Sequence, residues 1–195
     1  MTKAEKTRQF IIEKSAPLFN TRGVAGTAMS DIMEATKLAK GSLYVHFQNK
    51  DELAYSAVDY NLNTLAKGIM GATNKYTTAR DKLFAVLDFL GDPLHPPLVG
   101  GCPMLNFGME GDDTDPVIRK MVHKIVEAIQ QGVMAIIEQG MASGEFKRGW
   151  NVGEFAIRTF ALIEGGIFLS RVSGNNKQMD IIVGTIKREI MEQVC

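Results

Sequence analysis

Cysteine, tryptophan, proline and net charge are all scarce in this chain. The two cysteines, Cys102 and Cys195, lie far apart and match no zinc-ligand spacing, which excludes a disulfide framework and points to a reducing, cytoplasmic setting. His95 and His123 find no ligand spacing with Cys102, so no metal is expected. No Ser/His/Asp or Cys/His set and no phosphate-cradling glycine loop is present, so no catalytic residue, no cofactor and no enzyme activity is expected. Apolar runs fall short of the ~20 residues that span a bilayer. The start, Met-Thr-Lys-Ala-Glu-Lys, has no apolar stretch behind it, so an export signal is not expected either. Four of the six prolines crowd into the stretch from Asp92 to Pro103, which leaves the rest free to be helical.

Lysine plus arginine and aspartate plus glutamate number 22 each, for zero net charge, but they are unevenly placed. Residues 1–50 hold eight basic and four acidic groups, and the remainder holds fourteen and eighteen, giving +4 and −4. A basic head on an acidic body can be steered onto a polyanion by one end.

Strand-like alternation is rare, while Ala, Met, Ile, Glu and Lys recur at spacings of three and four, so the expected class is all-α with about nine helices. The first helix should run from about Lys3 to Asn20, with Ile12, Ala16 and Phe19 inward, Pro17 loosening its last turn and Gly23 closing it. A second, opening at Thr27 or Ala28, should turn Met29, Ile32 and Met33 inward. A short third helix surrounds Leu43. Asn49 and Glu52 form a capping-box-like start for a long fourth helix reaching about Gly71, with Leu53, Ala57, Leu62, Leu65 and Ile69 inward. Later helices are expected at Thr78–Leu90, around Met104–Glu110, from Asp115-Pro116 to Ser143, from Asn151 to Ser173, and from Asn175 with Gln178 nearly to the end.

The stretch from Lys37 to Asp51 carries most of the functional signal. As a short helix and a turn, it sets Lys40, Ser42, Tyr44 and His46 beside the apolar anchors Leu43 and Phe47. Such a basic, hydroxyl-rich strip suits a helix lying in the major groove of DNA. Gly41 is a costly residue inside a helix. Its bare backbone admits close approach of another surface, either DNA or a neighbouring helix. Lys50, in the first turn of the fourth helix, opposes the helix dipole unless an anion arrives there.

Gly23, the run Thr27-Ala-Met-Ser-Asp-Ile32, the run Leu38-Ala-Lys-Gly-Ser-Leu-Tyr-Val-His-Phe47 and Asn49-Lys-Asp-Glu-Leu53 together resemble the N-terminal domain of the TetR family of transcriptional regulators. The resemblance covers about residues 8–55. It implies a homodimeric repressor, with a helix-turn-helix DNA-binding domain at residues 1–50 and a ligand-binding and dimerisation domain at 51–195. It also implies that Lys40, Gly41 and Ser42 lie against the groove of double-stranded DNA, that Thr27, Tyr44, His46 and Lys50 clamp phosphates, and that Ser30 belongs to the same DNA-facing set. The chain departs from the family at Ala28, at Ala39, which cannot cap the third helix, and at Lys37. Lys37 stands where the family often has Gly, and at positive φ it would be strained.

The body holds Phe84, Phe89, Met104, Phe107, Met109, Phe160 and Phe168, which are either ordinary core or the walls of an adaptable apolar pocket for a small-molecule effector. Polar candidates for orienting such an effector are Asn106, Glu110, Thr159 and Glu164. Cys102, between Gly101 and Pro103, is either an inert buried thiol or one activated by a helix N-terminus. In the last helix Met179, Ile182, Val183, Ile186 and Ile190 share a face. The helix before it carries Gly165-Gly166 between Ile163 and Ile167. These residues are either core within one chain or the two-fold seam of a homodimer. A helical protein–protein adaptor would explain the apolar last helix but not the basic strip at Lys40. An enzyme would explain neither.

Overall fold

Capping side chains decide where most helices of this chain begin. In the computed structural model, which describes residues 1–195, α1 spans Lys3–Arg22 and opens on a reciprocal cap. The Glu5 amide donates to the Thr2 hydroxyl at 3.2 Å, and the Thr2 amide donates to the Glu5 carboxylate at 2.7 Å. It passes through Pro17 and closes at Gly23, whose φ is 77°. α2 (Met29–Thr36) and α3 (Lys40–Tyr44) follow, then α4 (Lys50–Thr73), where Asn49 accepts from the Glu52 amide at 2.8 Å. α5 (Ala79–Leu90) is capped by the Thr78 hydroxyl at 3.1 Å. After the proline-rich connection come α6 (Pro103–Gly111) and α7 (Pro116–Ser143), with the Asp115 carboxylate capping the latter. α8 (Val152–Ser173) and α9 (Lys177–Glu192) complete the chain.

Nine helices and an all-α class are as expected, and the limits fall within two or three residues of the sequence reading. The start of α9 differs from expectation. Asn176, not Asn175, occupies the cap position, and its side-chain amide donates to the Asp92 carboxylate at 2.6 Å instead of capping. Asn175 serves the turn by accepting from the Lys177 amide at 3.2 Å.

Packing divides the chain into two compact units along different lines from the division of roles at residue 50. One unit comprises Met1–Leu65 and Leu98–Ile125; the other comprises Ala66–Pro97 and Val126–Cys195. In the first unit Ile11, Ala16 and Phe19 of α1, Ile32 of α2, Leu43 of α3 and Leu53 and Ala57 of α4 are buried, together with Phe107 of α6. The Asn61 amide, itself buried, donates to the Ala16 carbonyl at 2.9 Å and ties α4 to α1.

In the second unit α8 and α9 form an antiparallel hairpin. A side chain on Gly166 would come within 3.0 Å of both Ile182 and Met179, so the glycine sets how closely the two helices pack. The Glu145 carboxylate accepts from the Ala79 and Arg80 amides at 2.7 and 2.8 Å, supplementing the cap of α5. Trp150 packs edge-on between Phe146 and Phe155.

Lys37 ends α2 at φ 57° and ψ 25°, the one non-glycine residue of the chain at positive φ. A side chain with a Cβ pays a steric cost in that region. Lys37→Gly should therefore stabilise the protein by about 0.5–1 kcal/mol, seen as a rise in the melting midpoint. An unchanged or lower midpoint would show that the turn is not strained.

Candidate functional site

Five residues make too short a helix to hold itself together, so α3 takes its shape from what it rests on. Leu43 and, just past its end, Phe47 are buried and set the inward side of the helix. Ala39 gives no side-chain cap; its carbonyl accepts from the Ser42 amide at 2.9 Å. At about 100° per residue, Gly41 and Val45 then fall on the side opposite Leu43. Lys40 and Tyr44 occupy one flank, with the Lys40 ammonium 5.9 Å from the Tyr44 ring centre. Ser42 and His46 occupy the other. Lys40, Gly41, Ser42, Tyr44 and Val45 are exposed, and His46 is half-buried. A methyl added at Gly41 would find nothing within 4 Å. The glycine is therefore not needed for packing against a neighbouring helix.

The support beneath α3 is polar as well as apolar. The Arg8 guanidinium lies 4.6 Å from the Phe47 ring centre and donates to the Ser56 hydroxyl at 3.1 Å. At the entry to α2, the Asp31 carboxylate accepts from the Ala28 amide at 2.8 Å and pairs with Arg22 at 3.0 Å. That amide, with the Arg22 charge beside it, holds the Asp31 carboxyl below the usual carboxylate range. From α6, Glu110 reaches the turn after α1 and accepts from the Val24 and Ala25 amides at 2.8 Å each. Asn106 donates to the Asn20 and Gly100 carbonyls at 2.9 and 3.1 Å, while Asn20 donates to the Val99 and Gly101 carbonyls at 2.8 and 3.0 Å.

The second unit contains a cavity of about 330 Å³ between α4, α5 and α7. Ala66, Ile69, Met70 and Thr73 line it from α4, Val86 from α5, and Ala128, Ile129, Gly132, Val133 and Ile136 from α7. The spacings of three and four along α4 and α7 put one face of each helix on the cavity. Thr73 is its single polar side chain, and its hydroxyl donates to the Met70 carbonyl at 3.0 Å.

Two family models match the chain. The model described as bacterial regulatory proteins, tetR family, matches residues 11–57, and the tetracyclin repressor-like C-terminal domain matches residues 79–186. A TetR-family transcriptional regulator from Cytophaga hutchinsonii has a similar structure, with a TM-score of 0.94 and 33% identity over 100% of this chain and 98% of that one. The chain belongs to the TetR family. A TetR regulator from Chloroflexus aurantiacus is similar at a TM-score of 0.93 and 34% identity, again over 100% and 98% of the two chains. Among curated relatives, the HTH-type transcriptional repressor DhaR of a Mycobacterium species is 24% identical over 89% of this chain and 86% of its own length. The HTH-type transcriptional regulator TtgR of Pseudomonas putida is 43% identical over 56 residues, 29% of this chain and 27% of that protein. The family is one of DNA-binding transcriptional regulators rather than enzymes.

Within the TetR frame, the expected DNA-facing residues separate into two groups. Ser30, Lys40, Gly41, Ser42 and Tyr44 are exposed, and His46 and Lys50 are half-buried. Asp51 and Glu52 already supply the negative charge that the start of α4 favours, so Lys50 is not an unbalanced charge there. Thr27 is a correction. It is fully buried and its hydroxyl donates to the Gly23 carbonyl at 2.7 Å, so its side chain holds the turn before α2 and is not presented to a phosphate.

None of the expected effector residues lines this cavity. Met104 and Phe107 are buried in the first unit, Cys102 is a buried residue at the start of α6, and Glu110 clasps the turn after α1. The Phe89 ring covers Gly68, Phe84 lies under the Lys187 ammonium, Phe160 and Glu164 are half-buried, and Phe168 is exposed. Of the other polar candidates, Asn106 belongs to the Asn20 network and Thr159 is buried outside the cavity. Apolar spacing marks an inward face without saying which interior it meets. The actual lining from α4 and α7 is legible as an i, i+3, i+4 pattern, yet its small Ala and Gly residues give no aromatic signal.

The expected dimer residues differ in burial. Ile163, Gly166, Ile167, Met179, Ile186 and Ile190 are buried between helices of one chain, and Ile182 and Val183 are half-buried. The large apolar side chains left in water are Ile157, Leu162, Phe168, Leu169 and Val172 of α8 and Ile181 and Met191 of α9. Sequence reasoning misses the outward place of Val45, the Asn20 network and the Glu110 clasp. No local motif marks the last two, because their partners lie about eighty residues away.

Removing the Glu110 carboxylate leaves two amides without their acceptor. Glu110→Ala should cost about 1–3 kcal/mol, read as a melting midpoint lower by roughly 2–4 °C per kcal/mol. Glu110→Gln, which keeps one oxygen, should lose less. Equal midpoints for all three proteins would show that the clasp contributes nothing.

Proposed function

We propose that this TetR-family regulator is a cytoplasmic, homodimeric repressor without catalytic activity, whose two heads bind half-sites of a palindromic operator and which a small apolar effector releases. The single observation that carries the DNA reading is the open backbone at Gly41, exposed on a helix pinned from behind by Leu43 and Phe47. A glycine that no protein atom requires is explained by a surface that arrives from outside. Lys40 and Ser42 beside it supply groups for base edges or phosphates, and Ser30, Tyr44, His46 and Lys50 supply contacts at the rim. Repression is the activity named for the relative DhaR and for the probable acrEF/envCD operon repressor of Escherichia coli, the latter 44% identical over 54 residues.

Dimerisation is supported by the outer face of α8. Ile157, Leu162, Phe168, Leu169 and Val172 are exposed along one side of α8, with Ile181 of α9 also exposed, and clustered apolar side chains of this kind mark an interaction site. Gly165, exposed with nothing within 4 Å of its missing Cβ, leaves room for close helix approach on that face. A two-fold axis through it would bury the same patch on both subunits. Two heads so related would meet half-sites about 34–36 Å apart.

The cavity supports the effector half of the reading. About 330 Å³ falls at the small end of ligand sites, and walls of Ala, Ile, Met and Val favour a compact uncharged molecule. Such a molecule releases DNA only by binding the non-operator arrangement more tightly than the operator-bound one.

Two measurements test the DNA reading. Gly41→Ala should fold with unchanged or slightly greater stability, by up to about 1 kcal/mol, while its operator affinity falls at least tenfold. Lys40→Ala and Lys50→Ala should each flatten the dependence of log affinity on log salt by about one unit per protomer. If Gly41→Ala binds as well as wild type and neither lysine changes the slope, this helix does not meet DNA.

Chemical crosslinking and sedimentation test the dimer. Phe168→Glu should give a folded monomer with operator affinity lowered by a hundredfold or more. A variant that remains dimeric would place the interface elsewhere.

A further inference from the structure

Val45 is the most exposed large hydrophobic side chain in the chain, at 79%. It buries almost nothing, and as a β-branched residue it adds little to the stability of a five-residue helix. Folding therefore gives no reason for an apolar group at this position. Its place at the end of α3 gives one.

Val45 follows Gly41 by one turn, its amide donating to the Gly41 carbonyl at 3.2 Å. Both sit opposite the buried anchor Leu43. The outermost line of the helix is thus a bare backbone followed by two methyl groups. Lys40 and Tyr44 flank it on one side and Ser42 and His46 on the other. Polar groups on the flanks can take phosphates and hydrogen-bonding base edges. An apolar group on the crest meets the floor of the groove, and on that floor the apolar feature is the C5-methyl of thymine. The clearance at Gly41, with no atom within 4 Å, lets so short a side chain reach it.

We propose that Val45 determines sequence specificity by packing against the C5-methyl of one thymine in each operator half-site. The proposal rests on the DNA-binding reading above and adds to it the base that is read and the residue that reads it.

The test uses the full-length protein and a duplex that the wild type selects from a random-sequence pool. Each thymine is replaced in turn by deoxyuridine, which removes the methyl and keeps every hydrogen-bonding group. At one position per half-site, wild-type affinity should fall by about four- to fifteenfold, the order expected for exposing one or two methyl groups. Val45→Ala should bind the unmodified duplex more weakly by a similar factor and should lose its response to uracil at that position. Val45 is exposed, so far-UV circular dichroism and melting should match wild type.

The proposal is overturned if no uracil substitution weakens wild-type binding. It is also overturned if Val45→Ala responds to uracil as strongly as wild type does, because another group then reads the methyl. Lys40→Ala, run in parallel on the same duplex, separates the two levels. A flattened salt slope in Lys40→Ala with no methyl effect defeats only the role of Val45, whereas an unchanged slope with no methyl effect defeats the DNA reading as well.

Discussion

A helix of five residues cannot sustain its own hydrogen bonds in water, so everything α3 does depends on two side chains beneath it. Leu43 and Phe47 are buried almost completely. Burying such side chains contributes roughly 1.5–3 kcal/mol each, enough to fix a segment that has neither an N-cap nor length in its favour. Phe47 is in turn covered by the Arg8 guanidinium, which also reaches Ser56. One aromatic ring thereby joins α1, the end of α3 and the start of α4. Because the inward side is fixed, the outward side is fixed too, and the sequence from Lys40 to His46 becomes a spatial order of crest and flanks.

Carboxylates play a similar part in both packing units. Glu110 takes two amides past the end of α1, and Glu145 takes two at the start of α5. In each case a side chain from a distant part of the sequence satisfies backbone donors that a helix end or turn would otherwise leave without protein partners. The α8–α9 hairpin follows a different rule. One of its sides closes the interior of the chain around Met179 and Ile186, and the other leaves Phe168 and Val172 in water.

Much of this is readable from the residues alone. Helix limits follow local capping chemistry, which acts over three or four residues, so Asp115-Pro116, Asn151 with Glu154 and the closing Gly174 mark their boundaries closely. Leu43 and Phe47 are legible as anchors from spacing, and Lys37 as a strained turn from the family resemblance, which often has Gly there. The α8–α9 face is not, because periodicity shows that Ile163 and Met179 share apolar stripes but not whether their partner lies in the same chain. The cavity lining escapes because aromatic size is no sign of a pocket. Small residues leave a void; large ones fill it. Thr27 faces DNA by family resemblance alone, while its hydroxyl is held by a carbonyl four residues back.

The cavity has walls of hydrocarbon and a single hydroxyl, that of Thr73, already engaged with its own helix. A molecule seated there would meet almost no directional partner, so shape alone would sort one guest from another. Hydrophobic walls distinguish compounds differing by a methylene by only about ten- to two-hundredfold. As an effector site, such a chamber would answer to a range of related chemicals in graded fashion, with broad tolerance built into its lining.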